Sequence, residues 1–208
     1  MKITKPILID LPMPLTTPRL LIRPPQLGDG IAVNAGILES FETLHQCMEW
    51  AKARPTVEDS EIYVRQSVAN WMLKNNEEPY LPLFIFDKQS DAFIGATGYH
   101  HINWDIPTVE TGYWICESHS GQGLMTEAIN ALTQYAFMQL GVKRITITCD
   151  VDNDRSQKIP VRLSYTLEAT LKAHRRKPIT GELSDTLVYA KYDMSNLPPL
   201  SVEWGHML

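Results

Sequence analysis

The sequence predicts an α/β (α+β) domain in which helices flank a central β-sheet, and three segments carry this prediction. The first runs from Val109 to Leu140 and contains a strand, a polar loop with two glycines and a long amphipathic helix. The second is a hairpin of the apolar stretches LPLFIFD and AFIGATGYHHI, and the third is the alternating strand Ile145–Cys149. Apolar strands connected by one-sided helices are typical of a layered fold around one sheet.

The chain begins with an expected extended arm over residues 1–16, which carries three prolines. The alternating residues Arg19–Arg23 predict a strand, and two further prolines close it. A helix is expected over about Ile31–Leu38, with Asp29 as its N-terminal cap. An extended entry and a first strand therefore precede the first helix.

Residues 40–76 are expected to be mainly helical. Thr56 followed by Asp59 is typical of a capping box, in which two side chains satisfy free amides at a helix N-terminus. Beyond this region, the polar turn Lys88–Asp91 joins the two strands of the hairpin. The helices are therefore expected to precede the central strands.

The second half of the chain alternates strands and helices. The strand Glu110–Cys116 leads into the long helix, whose apolar stripe is Leu124, Ala128, Ala131, Leu132, Tyr135 and Met138. Gly141 is expected to end this helix. The strand Ile145–Cys149, a short helix through about Leu163 and a last antiparallel strand over Leu187–Asp193 complete the predicted elements.

Composition excludes several classes of protein. The chain has 208 residues, 44% of them hydrophobic and 21% charged, which suits one globular domain. A net charge of −5 argues against broad nucleic-acid binding, and no apolar run approaches the roughly 20 residues of a membrane span. The N-terminus lacks the pattern of a signal peptide. Cys47, Cys116 and Cys149 lack metal-ligand spacing, so free thiols in a reducing cytoplasm and no metal are expected.

The two glycines of the polar loop, Gly121 and Gly123, lie where the loop becomes the long helix. Such a loop presents unpaired backbone amides and the positive end of a helix dipole, which suits a phosphate or pyrophosphate. The alternative is an ordinary strand–helix turn with convenient glycines, and the geometry alone leaves both interpretations open.

The stretch ETGYWICESHSGQGLMTEAI resembles motif A of the GCN5-related N-acetyltransferases (GNAT), and within them the RimJ/RimL-like group. Thr17–Arg23 also fits the first strand of that group, and the resemblance covers roughly residues 17–193. It implies a mixed, mostly antiparallel sheet with a V-shaped splay between the fourth and fifth strands, here Glu110–Cys116 and Ile145–Cys149. Residues 1–16 and 194–208 would then be an arm and a tail.

The resemblance also implies acetyl-CoA as cosubstrate. The loop residues expected to surround its pyrophosphate are Gly121, Gln122, Gly123, Leu124, Met125 and Thr126. Those expected to pair with its pantetheine arm through backbone groups are Trp114, Ile115 and Cys116, for which plain core packing is the alternative. Ser118 replaces the glutamine or arginine that the wider family has at that position.

A second cofactor anchor is implied at CDVDNDRSQKIPVRLSY. By resemblance, Asn153 would hydrogen-bond the pantetheine arm, and Ser156 would start the helix near the thiol and act as the partner of the leaving thiolate, which needs a proton or a hydrogen bond. The alternative is that both residues only cap a helix start. Pro160 lies where many members of the superfamily have a tyrosine acid, so that acid is absent here.

Glu110 matches the strand glutamate of the family and is the expected base, with a structural salt bridge as the alternative. In RimL-like enzymes another glutamate is proposed as base, and Arg175 holds its position here. The basic cluster His174–Lys177 is interpreted as a solvated loop or as a contact for an acidic substrate or CoA phosphates. His100 and His101 are adjacent in a strand and should face opposite sides, which argues against a metal pair.

These observations predict an acetyl-CoA-dependent N-acetyltransferase that acts by direct attack in a ternary complex. The expected acceptor is a protein N-terminal α-amino group. The alternatives are a small amine (an amino sugar, a polyamine or an antibiotic) and a non-catalytic acyl-CoA-binding module. No membrane or nucleic-acid partner is expected, and a homodimer is left open.

Overall fold

The computed structural model describes residues 5–74 and 79–205, and its centre is a mixed nine-stranded sheet. The strands are β1 (Leu15–Thr16), β2 (Leu20–Arg23), β3 (Leu81–Asp87), β4 (Phe93–Asn103), β5 (Thr108–Ile115), β6 (Arg144–Asp150), β7 (Thr166–Arg176), β8 (Leu183–Lys191) and β9 (Glu203–Trp204). The helices are α1 (Gly30–Glu39), α2 (Phe41–Cys47), α3 (Val57–Leu73), α4 (Leu124–Tyr135) and α5 (Asp154–Arg162). The predicted α/β class is confirmed.

The strand order is β7-β8-β6-β5-β4-β3-β2-β1-β9, and in this described sheet β5 and β6 form the one parallel pair. They pair over three positions, Thr108 with Arg144, Val109 with Ile145 and Glu110 with Thr146. Beyond Glu110 the two strands are no longer paired. The predicted V-shaped splay is therefore confirmed, and it opens toward the C-terminal ends of both strands.

Helices cover both faces of the sheet. One apolar cluster includes Val33 of α1 and Val64 of α3 against β3 and β4, and a larger one includes most of the buried face of α4. The buried Tyr99 hydroxyl of β4 donates to the Leu132 carbonyl of α4 at 2.6 Å, which attaches this helix to the sheet. Gly141 ends the helical segment in a left-handed conformation, as predicted. No helix in the described ranges is long and apolar enough to cross a membrane.

Strand β7 is absent from the sequence-based assignment, and β8 begins at Leu183 rather than at Leu187. None of the eleven residues of β7 is buried, so its sequence lacks the alternation of a half-buried strand. Strand β7 forms because it pairs with β8 at the edge of the sheet. The charged side chains of β7 protect this edge from pairing with another chain. His174 and Arg175 consequently lie in a strand and not in the expected loop.

Residues from both ends of the chain join the opposite edge of the sheet. Leu15 is fully buried and pairs with Ile22 on one side and Trp204 on the other. The Asn130 amide of α4 donates to the Pro198 carbonyl at 2.9 Å. These contacts hold segments of the predicted arm and tail on the sheet, while the division of the chain at residues 17 and 193 stays a prediction.

The predicted N-terminal cap of α1 is wrong in its chemistry. Asp29 occupies the capping position, but its carboxylate accepts two hydrogen bonds of 2.8 Å from the Arg23 guanidinium and accepts none from a helix amide. Glu61 of α3 instead accepts from the amides of Gly28 and Gly30 at 3.2 Å. A bidentate arginine is a stronger partner for a carboxylate than a single helix amide, so the cap comes from a distant residue.

The capping box of α3 is confirmed, and it permits a stability test. The Thr56 hydroxyl accepts from the Asp59 amide at 3.1 Å, and the Asp59 carboxylate accepts from the Thr56 amide at 2.9 Å. We expect Thr56→Ala to lower the free energy of unfolding by about 1 kcal/mol, measured by urea denaturation. Gln66→Ala, on an exposed position of the same helix, is the control and should change little.

This loss should also depend on pH. Hydrogen bonds from the Thr56 side chain and backbone lower the pKa of Asp59. A lowered pKa stabilises the fold above the unfolded-state value, near 3.9 for aspartate, and this contribution disappears as the pH falls below it. The difference between Thr56→Ala and wild type should therefore shrink below about pH 4. A difference that is constant from pH 7 to pH 3 would contradict the role of Asp59.

Candidate active site

The glycine loop before α4 presents a row of unpaired amides. Gly121 and Gly123 both have φ of +77°, and Gly123 is the residue that begins the helix. Within the described residues, the amides of residues 121–126 have no hydrogen-bond acceptor. Left-handed glycines next to a helix N-terminus turn successive amides toward one point, which forms a concave anion site.

One side of this loop is fixed by Arg19, which the sequence analysis identified only as the start of a strand. Its guanidinium donates to the Gln122 carbonyl at 3.0 Å and binds the Glu127 carboxylate at 2.6 Å. Glu127 also accepts from the Thr17 hydroxyl at 2.6 Å. The segment between β1 and β2 thus holds both the loop and the first turn of α4, a connection that only the fold reveals.

The other side of the loop is fixed to the end of α1. The Ser118 amide donates to the Glu39 carboxylate at 2.7 Å, and the Glu117 amide donates to the Ser40 hydroxyl at 2.9 Å. The backbone hydrogen bond from Ser118 lowers the pKa of Glu39 and keeps its carboxylate charged. Ser118 therefore binds the end of α1 through its backbone amide, and a hydrogen bond from its side chain also lowers the pKa of Glu39.

The open edge of β5 borders the gap between β5 and β6. The Cys116 amide donates to the Ile94 carbonyl of β4 at 2.8 Å. Backbone groups alternate between the two neighbours of a strand, so those of Trp114 also point to β4, and those of Tyr113 and Ile115 point into the gap. Of the three residues expected to pair with pantetheine, only Ile115 thus has free backbone groups at this edge. Tyr113, which is not among the three, also has free backbone groups there.

Cys116 is a core residue. Its side chain is 1% exposed, and burial raises the pKa of its thiol to about 12. A thiol that is protonated at neutral pH is a poor nucleophile. Cys116 therefore packs in the core, which is the alternative to pairing with pantetheine.

Helix α5 borders the gap from the side of α4. The Asn153 side-chain oxygen accepts from the Ser156 amide at 3.0 Å, so its capping role is present. The Tyr113 hydroxyl lies 3.2 Å from the Ser156 hydroxyl and donates to the Ser156 carbonyl at 3.0 Å. Burial raises the pKa of the neighbouring Cys149 to about 11, against the nearby charge of Arg175 and a hydrogen bond with Ser156.

Glu110 lies at the last paired position of β5, and its carboxylate accepts from the Thr148 hydroxyl of β6 at 2.7 Å. No arginine or lysine in the described chain pairs with it, so the alternative of a structural salt bridge is not observed. Glu110 and Tyr113 are three residues apart in one strand, so their side chains lie on opposite faces of the sheet. Glu110 and Ser156 therefore flank the gap from opposite sides.

The expectation that His100 and His101 face opposite sides is wrong. After the pair of His100 with Glu110, the register resumes at Asn103 with Thr108, so β4 has one residue more than β5 in this interval. This bulge gives His101 a φ of +50° and brings the two rings to 5.1 Å. Burial lowers the pKa of His100, against the charge of Glu110. Successive side chains of a strand point to opposite faces of the sheet only where the strand pairing is not interrupted by a bulge.

A cavity of about 640 Å³ lies between the segment after α2 and the β7–β8 turn. Its charged lining consists of Lys52, Arg175, Arg176 and Lys177, with His174 and the acidic Glu49. Arg175 donates to the Thr186 hydroxyl at 3.0 Å, and Thr186 pairs with Asp150 at the open end of the splay. The cavity is therefore positively charged and adjoins the gap.

This arrangement defines a class of protein. A phosphate-bearing cosubstrate can enter at the glycine loop and extend along the open edge of β5, and a second substrate can approach from the opposite face. Residues 19–166 match the Acetyltransferase (GNAT) domain, and the chain belongs to this family. The protein is accordingly an acetyl-CoA-dependent N-acetyltransferase.

Relatives of known name agree with this assignment. The ribosomal-protein-serine acetyltransferase of Escherichia coli (strain K12) is 33% identical over 148 residues, which are 71% of this chain and 78% of that protein. The putative ribosomal N-acetyltransferase YdaF of Bacillus subtilis (strain 168) is 30% identical over 99 residues, which are 48% of this chain and 53% of that protein. The RimJ/RimL-like group is thus supported.

Solved structures agree in fold. The microcin C7 self-immunity acetyltransferase MccE, in complex with acetyl-CoA and AMP, has a TM-score of 0.74 at 29% identity, over 85% of this chain and 93% of that one. RimL, the ribosomal L7/L12 α-N-protein acetyltransferase in complex with coenzyme A, has a TM-score of 0.77 at 22% identity, over 86% and 97%.

The glycine loop can be tested with two glycines of matched geometry. Gly121 and Gly141 both have positive φ, and a Cβ would have no neighbour within 4 Å at either position. Alanine should therefore cost both variants about 1–2 kcal/mol of stability. Only Gly121→Ala should weaken acetyl-CoA binding, by about tenfold or ~1.4 kcal/mol, in calorimetric titration. Equal affinity of the two variants would remove this loop from the cofactor site.

Proposed function

We propose that the protein acetylates the α-amino group of a protein N-terminus by direct attack on acetyl-CoA in a ternary complex. The observation that carries this proposal is the placement of Glu110 and Ser156 on opposite faces of the gap between β5 and β6. Acetyl transfer needs a base on the side of the amine and a proton donor on the side of the leaving thiolate. The positions of the two groups support this proposal.

On the acceptor side, Glu110 would take the proton of the amine, directly or through water. The hydrogen bond from Thr148 fixes one of its carboxylate oxygens and leaves the other for the substrate. Arg175 replaces the glutamate proposed as base in RimL-like enzymes, so the base role falls to Glu110. Arg175 would instead contribute charge to the acceptor cavity.

On the cofactor side, the amides of Gly121, Gln122, Gly123, Leu124, Met125 and Thr126 would bind the pyrophosphate. The free backbone groups of Tyr113 and Ile115 would pair with pantetheine. The side-chain nitrogen of Asn153 remains available to the same arm, because the cap of α5 uses only the side-chain oxygen of Asn153. The Ser156 hydroxyl would then donate a hydrogen bond to the departing thiolate. Because the pKa of Cys149 is raised to about 11, an acetylated cysteine intermediate is not favoured.

The charge of the cavity indicates the acceptor. Four cationic side chains and the acidic Glu49 line it, and Lys177 is paired with Asp152 at 2.6 Å. The remaining positive charge of Lys52, Arg175 and Arg176 favours an acceptor with negative charge near its amine and disfavours a polyamine or aminoglycoside. An acidic protein N-terminus satisfies this condition. The second candidate is a small amine that bears a carboxylate or phosphate, favoured by the same lining and by the likeness to MccE in complex with AMP. A non-catalytic acyl-CoA-binding module would not need Glu110 and Ser156 on opposite faces of the gap.

Two further expectations accompany this proposal. The buried thiols Cys116 and Cys149 suit a reducing compartment, and we place the protein in the cytoplasm. A homodimer stays a prediction.

The base assignment is tested by Glu110→Gln. We expect kcat to fall about 10²–10⁴-fold, the usual contribution of a general base, with acetyl-CoA affinity retained because the glycine loop is untouched. Thiol release during steady-state turnover on Ser- and Ala-starting peptides reports the rate, and titration reports the affinity. Glu58→Gln, an exposed change in α3, is the control. Undiminished turnover of Glu110→Gln would refute the assignment.

The acceptor assignment is tested with peptides that differ only in charge at the second to fifth positions. Acidic peptides should have higher kcat/KM than basic ones. Arg176→Glu should lower kcat/KM for the acidic peptides about fivefold, since one exposed charge contact contributes ~1 kcal/mol. Lys143→Glu makes the same charge change away from the cavity and should have little effect. A preference for basic peptides would reverse the proposal.

A further inference from the structure

Three side chains that bind transition metals converge on the acceptor side of the gap. One nitrogen of His100, one of His101 and one carboxylate oxygen of Glu110 all lie within 4.8 Å of one another. We propose that these three residues form a binding site for a transition-metal ion of the Zn²⁺ class. Two imidazoles and one carboxylate are a known ligand set for zinc that leaves one position open.

The spacing is compatible with an ion after small movements. Zinc–nitrogen and zinc–oxygen bonds of about 2.0–2.1 Å place tetrahedral ligands about 3.3 Å apart. The widest observed separation therefore has to close by about 1.5 Å. His101 is exposed and can make most of this movement by side-chain rotation, while the more buried His100 and Glu110 stay in place.

Backbone and neighbouring residues build this site. Without the bulge, His101 would lie on the other face of the sheet. Its φ of +50° is a strained conformation for a residue other than glycine. The Thr148 hydroxyl orients Glu110, and the Tyr80 ring packs edge-on against His100 at 6.4 Å. Outer partners of this kind orient metal ligands in known sites.

A bound ion would have a consequence for catalysis, and this consequence rests on the proposed function. The ion would occupy the carboxylate proposed as base, so it would compete with the amine. The glycine loop lies at the opposite end of β5, so acetyl-CoA affinity should not change. The site is accordingly one where a metal ion inhibits the enzyme, and acetyl transfer itself does not need the ion.

Binding can be measured without activity, using Co²⁺ as a spectroscopic probe on untagged full-length protein. The exposed Cys47 is first changed to serine so that its thiol cannot bind the ion. We expect one Co²⁺ per chain with the visible bands of a four- or five-coordinate site, and displacement by Zn²⁺. His101→Asn should lower the affinity at least tenfold, since asparagine tolerates positive φ but removes the imidazole.

Two variants sharpen this test. Thr148→Val keeps all three ligands and should weaken binding about 10–100-fold by freeing Glu110. His119→Asn removes an imidazole outside the cluster and should leave the Co²⁺ affinity unchanged. If wild type gives no such spectrum, or if His101→Asn leaves it unchanged, the site is refuted.

Inhibition separates this proposal from the proposed function. Zn²⁺ should raise the apparent KM for the amine in wild type and should do so less in His101→Asn, each compared with its own metal-free rate. If the ion binds but Glu110→Gln remains fully active, the base assignment fails and the metal site stands. If Glu110→Gln is inactive but no Co²⁺ binds, the metal site fails and the base assignment stands.

Discussion

The separation of β5 from β6 beyond Glu110 is the constraint on which the rest of the site depends. Three paired positions hold the strands together, and after them the backbone groups of Tyr113 and Ile115 lose their protein partner. An unpaired strand edge inside a sheet needs a substitute, and an extended cofactor can supply it as an added strand does. In the proposed function, the same separation would give two substrates access to one point from opposite faces.

The glycine loop is useful only because it is held from both sides. Arg19 and Glu127 connect it to the segment between β1 and β2, and Glu39 and Ser40 connect it to the end of α1. These side chains come from distant parts of the chain, and none of them has to touch the cofactor. They hold the amides in one arrangement, so little conformational entropy is lost when an anion binds.

The acceptor side is shaped by features that break regular structure. The bulge in β4 brings His101 to Glu110, and an exposed edge strand carries Arg175 and Arg176 into the cavity. The cavity is positive although the whole chain has a net charge of −5. The local charge of this cavity therefore differs from the average charge that composition reports.

Local patterns in the sequence determined much of this protein. The strand–loop–helix around Gly121 and Gly123, the hairpin, the capping box of Thr56 and the end of the helical segment at Gly141 all depend on contacts among near neighbours. Periodicity and glycine position describe such contacts directly, and so these elements could be predicted. The resemblance of the same stretch to a known family supplied the splay and the cosubstrate.

Tertiary structure alone decided the rest. Strand β7 has no apolar alternation and exists because β8 is beside it; the cap of α1 comes from Glu61 because Arg23 occupies Asp29. The direction of the Tyr113 and Ile115 backbone groups depends on register with β4, and the meeting of His100, His101 and Glu110 depends on one extra residue in that strand. Each of these outcomes rests on a partner far away in the chain, and no local pattern of residues contains that partner.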